Sequence, residues 1–186
     1  LGAGLSAADL RFENGSVIAP PGRISLAQLL ARQGLDHVEA SARTDAGHGK
    51  EGHSLHSFGA QFVEVRVDPD LGTIRISRHV GVFDAGRVLN GKTARSQMIG
   101  GITYGLGMAL FEATHTDAET GRIVNANLAE YLVPVNADVP EIEVVMLPGD
   151  DQIVGPLGAR GIGELPMVGV AAAVANAVYH ATGVRV

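Results

Sequence analysis

Four glycines, Gly100, Gly101, Gly105 and Gly107, lie in a stretch whose apolar residues Met98, Ile102, Leu106 and Leu110 recur every fourth position. That spacing predicts a helix over Thr93 to Glu112 with one apolar stripe. Glycine inside a helix costs about 1 kcal/mol relative to alanine. Four of them imply that another backbone or a ligand approaches closer than a Cβ would permit. Tight helix–helix packing and ligand contact both satisfy that condition. The excess runs through the whole chain, at 25 glycines in 186 residues, with no collagen-like period.

The remaining elements follow from pattern. Phe62, Val63, Val65 and Val67 alternate with polar residues before Asp68-Pro69-Asp70-Leu71-Gly72, and Ile74, Ile76, Val80 and Val82 follow, which predicts a β-hairpin. Ser25 ahead of Leu26 reads as a helix N-cap and Gly34 as its stop, after short strands around Leu5–Phe12 and Ser16–Ile18. Ala118–Arg122 reads as a turn, and Ala129–Val135 and Ile142–Leu147 read as strands. A second helix, Pro166 to Ala181, is small or apolar on nearly every face and should be buried. The expected fold is α+β, a mixed sheet containing a hairpin, packed with two glycine- and alanine-rich buried helices. Residues 41–59 mix Gly, Ser, His and Asp without period. They divide an N-terminal strand-helix segment and linker, 1–50, from a C-terminal portion, 51–186, of one subunit.

An apolar fraction of 46% against 18% charged residues excludes a disordered chain. A net charge of −6 supplies no positive field for nucleic acid or an anionic membrane, so neither is an expected partner. The nearly apolar run Met98 to Phe111 is shorter than the ~20 residues of a membrane span. With Cys 0, this chain can hold no disulfide, no thiolate zinc site and no cysteine-ligated iron–sulfur cluster. Starting at Leu1, without an initiator Met or secretory signal, it reads as a piece of a longer polypeptide.

Two polar clusters carry the chemistry. Gly158-Ala159-Arg160-Gly161-Ile162-Gly163-Glu164 precedes the second buried helix. Its glycines let successive N–H groups converge on an anion, favoured also by Arg160. Glu164 is an isolated acid there, to be read either as a helix-capping carboxylate or as a reactive one. Arg87-Val88-Leu89-Asn90-Gly91-Lys92-Thr93, with Arg95 and Gln97 beyond, gathers cations and amides at a loop-to-helix junction. Such a set suits phosphates and amide-bearing rings, or simply a solvated turn. Asp45, His48, Glu51, His53 and His56 match no zinc signature, and Ser54 and Ser57 lack a nucleophile elbow.

These residues bring a family into view. His56-Ser57-Phe58-Gly59-Ala60, Asp84-Ala85-Gly86-Arg87, Gln97-Met98-Ile99-Gly100-Gly101, Asn125-Ala126-Asn127-Leu128-Ala129-Glu130-Tyr131, Pro140-Glu141-Ile142 and Gly161-Ile162-Gly163-Glu164 occur in that order. The chain resembles the molybdenum hydroxylase family, the xanthine dehydrogenases and aldehyde oxidoreductases, in the C-terminal part of the molybdopterin-binding large subunit. Its details look closest to bacterial three-subunit aldehyde oxidoreductases. The resemblance implies a molybdenum–molybdopterin cofactor in its cytosine dinucleotide form. Arg87, Val88, Leu89, Asn90, Gly91, Lys92, Thr93, Gln97, Arg160, Gly161, Ile162 and Gly163 would bind it, with no protein ligand to the metal. It implies that Glu164 is the general base on a molybdenum-bound hydroxyl in hydroxylation of an aldehyde or N-heterocycle. Electrons would leave through 2Fe-2S and FAD groups on partner subunits, in cytoplasm or periplasm. The isolated 186 residues, lacking the remainder of the large subunit, are expected to be inactive. The rival expectation is a non-catalytic module that binds molybdopterin or a nucleotide for assembly.

Overall fold

A computed structural model describes residues 6–20, 22–42 and 52–186. The chain forms two compact units, Leu1–Ala46 and Gly47–Val186. In the first, β1 (Arg11–Glu13), β2 (Ser16–Ala19) and β3 (Gly22–Ser25) make an antiparallel meander that leads into α1 (Leu26–Gln33). Ser25 caps α1 as expected. Its Oγ accepts from the Gln28 N–H at 3.1 Å while Gln28 Oε1 accepts from the Ser25 N–H, a reciprocal capping box. Gly34 ends the helix at φ 64°, a left-handed position that glycine takes without strain. β3 was not legible beside Pro20-Pro21-Gly22; of the strand expected around Leu5–Phe12, Leu5 lies outside the described residues, Ala7–Asp9 form a 3-10 turn held by the Asp9 N–H to the Ser6 carbonyl, and only Arg11 onward pairs as β1.

The second unit is a three-stranded sheet with two helices on one face. β4 (Phe58–Asp68) and β5 (Thr73–Asp84) form the expected hairpin, and β6 (Glu141–Met146) adds to β5 in parallel. A parallel neighbour needs a crossover, here α2 (Gly91–Leu110) and the irregular stretch that follows it. A register shift at Glu64/Val65 keeps Val63, Val65, Ile74, Ile76, Ile142, Val144 and Met146 against the core. Phe83, Met98, Ile102, Leu106, Val170, Val174 and Val178 fill that core. The fold class is thus the α+β arrangement expected, with a mixed sheet and two Gly/Ala-rich helices. None of the helices among the described residues is long and apolar enough to cross a membrane.

Two expectations need correction. Ala129–Val135 is a turn followed by irregular chain, not a strand: the Ala129 N–H goes to Asn127 Oδ1 and the Tyr131 N–H to the Asn127 carbonyl, so Asn127 curls the chain. The last helix, α3 (Val170–Thr182), starts four residues later than Pro166. The Met167 N–H instead closes a turn onto the Glu164 carbonyl at 3.0 Å. Only its stripe Val170, Val174 and Val178 is buried, while Ala171 and Ala172 are exposed.

The α2 glycines divide by environment. A Cβ on Gly101 would run into the Pro166 ring, and one on Gly105 would sit 2.6 Å from Val170 Cβ and 3.1 Å from the Met167 carbonyl. Gly100 has nothing within 4 Å. Gly105→Ala gains about 1 kcal/mol of helix propensity but overpacks a backbone contact at roughly 1–3 kcal/mol. Net destabilisation is expected, whereas Gly100→Ala should stabilise the chain by up to about 1 kcal/mol. Urea unfolding of the two variants checks the opposite signs.

Candidate functional site

β5 and β6 run parallel and end at the same edge of the sheet, so the chain leaves both strands side by side. Backbone hydrogen bonds join the two exits: the Leu147 N–H to the Phe83 carbonyl at 2.8 Å, Arg87 to Gly158 at 2.7 Å and Arg160 to Ala85 at 2.8 Å. Gly86 allows this approach. Its φ is 67°, and a Cβ there would strike the Gly158 carbonyl. The two polar clusters, about seventy residues apart in sequence, therefore lie against each other at the C-terminal end of a parallel strand pair, where sheets of this kind commonly place ligands.

A cavity of about 360 Å³ opens between them, lined by Arg87, Val88, Leu89, Asn90, Thr93, Gln97, Arg160 and Ile162 together with Ala85, Ala94, Met146 and Ala159. A groove of about 640 Å³ runs along α2, past Gln97, Gly100, Tyr104 and Met108, with Gly163 and Glu164 on its wall. Gln97 belongs to both, and its Nε2 donates to the Gly163 carbonyl at 2.7 Å. Glu164 is exposed in this chain and shares that groove with Gln97. Gly91 and Lys92 occupy the exposed first turn of α2 and do not line the cavity, nor does Gly161.

Three side chains hold the 161–166 bend by its carbonyls. Ser57 Oγ donates to Gly161 at 2.7 Å, Gln97 to Gly163, and Gln61 Nε2 to Pro166 at 2.9 Å. In a trans peptide the C=O and the following N–H point in opposite directions. Anchoring the Gly161 and Gly163 oxygens therefore turns the Ile162 and Glu164 N–H groups away from Ser57 and Gln97. Gly161 and Gly163 have no atom within 4 Å of where a Cβ would be, so ligand atoms can approach this backbone. That cradle, with the exposed Arg87 cation nearby, suits an anionic ligand with polar edges.

Two expected ligand-binding side chains also have structural posts. Asn90 is the N-cap of α2, its Oδ1 accepting from the Lys92 and Thr93 N–H groups at 3.1 Å each. The Arg160 guanidinium, largely buried, hydrogen-bonds Asp84, lies 3.6 Å from Asp151 and donates to the His56 carbonyl at 3.2 Å. Its charge is thereby balanced inside the loop assembly. The Gly86 N–H and then Arg160 hold the Asp84 carboxyl below its ordinary pKa. Ser57 and Gln61 are contributions that sequence reasoning missed. Their partners lie up to 105 residues away, beyond any local pattern. Among the described residues no group of three or more His, Asp and Glu side chains could hold a metal. Asp45, His48 and Glu51 lie outside them, while His53 and His56 are exposed.

Comparison with known proteins shows the family. A family profile described as a molybdopterin cofactor-binding domain matches residues 2–140. The chain belongs to this family. The match includes the 87–97 bend and ends before Arg160. The aldehyde oxidoreductase molybdenum-binding subunit PaoC of Escherichia coli (strain K12) is 51% identical over 130 residues, 70% of this chain and 18% of the relative. A putative xanthine dehydrogenase molybdenum-binding subunit, XdhA, of the same strain is 38% identical over 130 residues, 70% of this chain and 17% of the relative. Quinoline 2-oxidoreductase from Pseudomonas putida 86 shares the fold, with a TM-score of 0.77 at 23% identity, covering 97% of this chain and 24% of its own. The matched part of the chain thus spans less than one fifth of the length of these curated relatives.

Proposed function

We propose that this domain forms part of a molybdenum-dependent oxidoreductase acting on aldehydes or N-heterocycles, with Glu164 as its general base. The observation that carries the reading is the Gln97–Gly163 hydrogen bond, which ties the Glu164 bend to the polar helix entrance. When bound, the molybdenum–pterin group supplies the two-electron redox chemistry. The chain's own residues bind and orient. Arg87, Thr93 and the outward N–H groups of Ile162 and Glu164 meet the phosphates of a cytosine dinucleotide form, with Lys92 adding a cation from the exposed first turn of α2. Asn90, Gly91 and Gln97 address amide edges, and Val88, Leu89 and Ile162 give an apolar wall. Arg160, Gly161 and Gly163 shape the cradle. Glu164 accepts a proton at a carboxylate oxygen, a task for a group that the rest of the subunit encloses. Residues 1–50 and 51–186 serve as parts of one large subunit, whose electrons pass to 2Fe-2S and FAD on partner subunits. The likeness to PaoC and XdhA supports this reading.

Gln97→Leu in the complete subunit tests the cofactor half. It removes one amide and releases the Gly163 carbonyl, a loss of about 1.5 kcal/mol or more and thus roughly tenfold in affinity. Molybdenum content per purified subunit should fall accordingly by elemental analysis. Wild-type content after dialysis would remove Gln97 from the cofactor site and favour a cavity that serves only assembly.

A further inference from the structure

His79 is the one titratable side chain placed wholly inside the described core, at 0% exposure, yet no step above uses it. It projects from β5 on the face shared with Gly81 and Phe83. Its Nε2 lies 2.8 Å from Gln61 Oε1 on β4, and Gln61 Nε2 donates to the Pro166 carbonyl. The amide nitrogen is committed to that carbonyl, so the oxygen faces the ring and His79 Nε2 carries the hydrogen. Nδ1 is buried without a partner.

A valine or leucine would fill this core position without burying an unsatisfied ring nitrogen, which costs about 1–3 kcal/mol. Packing alone therefore gives no reason for an imidazole. The surroundings favour the hydrogen-bond chain instead. A Cβ on Gly169 would stand 3.0 Å from Gln61 Nε2, so this glycine leaves the amide its space. Pro166 is fully buried over Gly101, and the turn it belongs to closes on the Glu164 carbonyl.

We infer that His79 and Gln61 are positioning residues for the Glu164 carboxylate, acting through the buried chain that ends on the Pro166 carbonyl. This rests on the proposed role of Glu164. The Gln61 amide fixes the peptide two residues beyond the acid, and His79 fixes which way that amide faces. Freed from it, the Glu164–Met167 turn can swing about its remaining anchors, and a misplacement near 1 Å can cost about 100-fold in rate.

The test uses the complete enzyme with its partner subunits. Gln61→Met and His79→Leu stay close to the native volumes and remove the chain, each made alone and together with Glu164→Gln. Each variant alone should lower kcat by roughly 10- to 100-fold, with KM within about threefold and molybdenum content unchanged. Neither should lower turnover further in the Glu164→Gln background, because the chain acts through that carboxylate. Amide hydrogen exchange over 162–168 should quicken in both single variants, with or without cofactor. Wild-type kcat in both, or the same fold loss in the Glu164→Gln background, overturns the inference while leaving the base assignment standing. Failure of both variants to assemble or retain molybdenum also overturns it, in favour of a purely core role. Wild-type turnover in Glu164→Gln alone sinks the base assignment and this inference together.

Discussion

Replacing Glu164 by glutamine in the complete molybdenum-binding subunit is expected to lower turnover by about 10²–10⁴-fold, the usual worth of a general base. Glutamine keeps the length and planarity of the side chain but cannot take up a proton at physiological pH. Backbone at this bend is held by Ser57, Gln97 and Gln61 through carbonyls, none of which involves the Glu164 side chain. Cofactor content and assembly should therefore survive the substitution, and elemental analysis beside steady-state kinetics separates lost chemistry from lost loading. A variant that keeps its molybdenum and its turnover would leave Glu164 as a helix-approach carboxylate and nothing more.

The second large effect is on stability in acid. Burial lowers the His79 pKa from 6.5 to about 4, because the imidazolium would lose its hydration inside the core. Between those values the unfolded chain binds a proton that the folded chain does not, so stability falls as pH falls, and it stops changing on this account below about pH 4. At 1.36 kcal/mol per unit the full loss is about 3 kcal/mol, a large share of a small domain's margin. Urea unfolding of this chain between pH 7 and pH 4 should show the slope, and His79→Phe should abolish it. Asp84 also loses stabilising contacts on protonation, but its lowered pKa puts that loss at more acidic pH. A flat profile in the native chain across the histidine window would mean that the core admits a charged ring.

Much of the scaffold was legible because its signals are local. Ser25 and Gly34 bracket α1 through bonds spanning three to five residues, and Asp68 with Gly72 forms the hairpin turn that the flanking alternation demands. The α2 glycines were read as marks of close approach, and three of the four answer to it, Gly101 and Gly105 against Pro166 and Val170, Gly107 against Glu112 and Pro134. Elements whose identity depends on distant partners were not. Leu132, Val133 and Val135 have strand-like composition but remain exposed, since Asn127 bends the chain before any ladder can form. The parallel addition of β6 has no local signature either. At the site, the two clusters were visible as composition. The side chains that hold them in place, Ser57 and Gln61, were not, because a hydroxyl or an amide in or beside a strand looks the same whether it faces solvent or a carbonyl across the fold.

The three anchored carbonyls have a thermodynamic consequence for cofactor capture. A glycine-rich bend left free would have to give up backbone entropy on binding, at roughly 1–2 kcal/mol per residue. Here Ser57, Gln97 and Gln61 draw that ordering from the folding of the sheet and α2. A ligand that meets this bend then binds a surface already in shape, and slow release follows from rigidity as much as from the number of contacts.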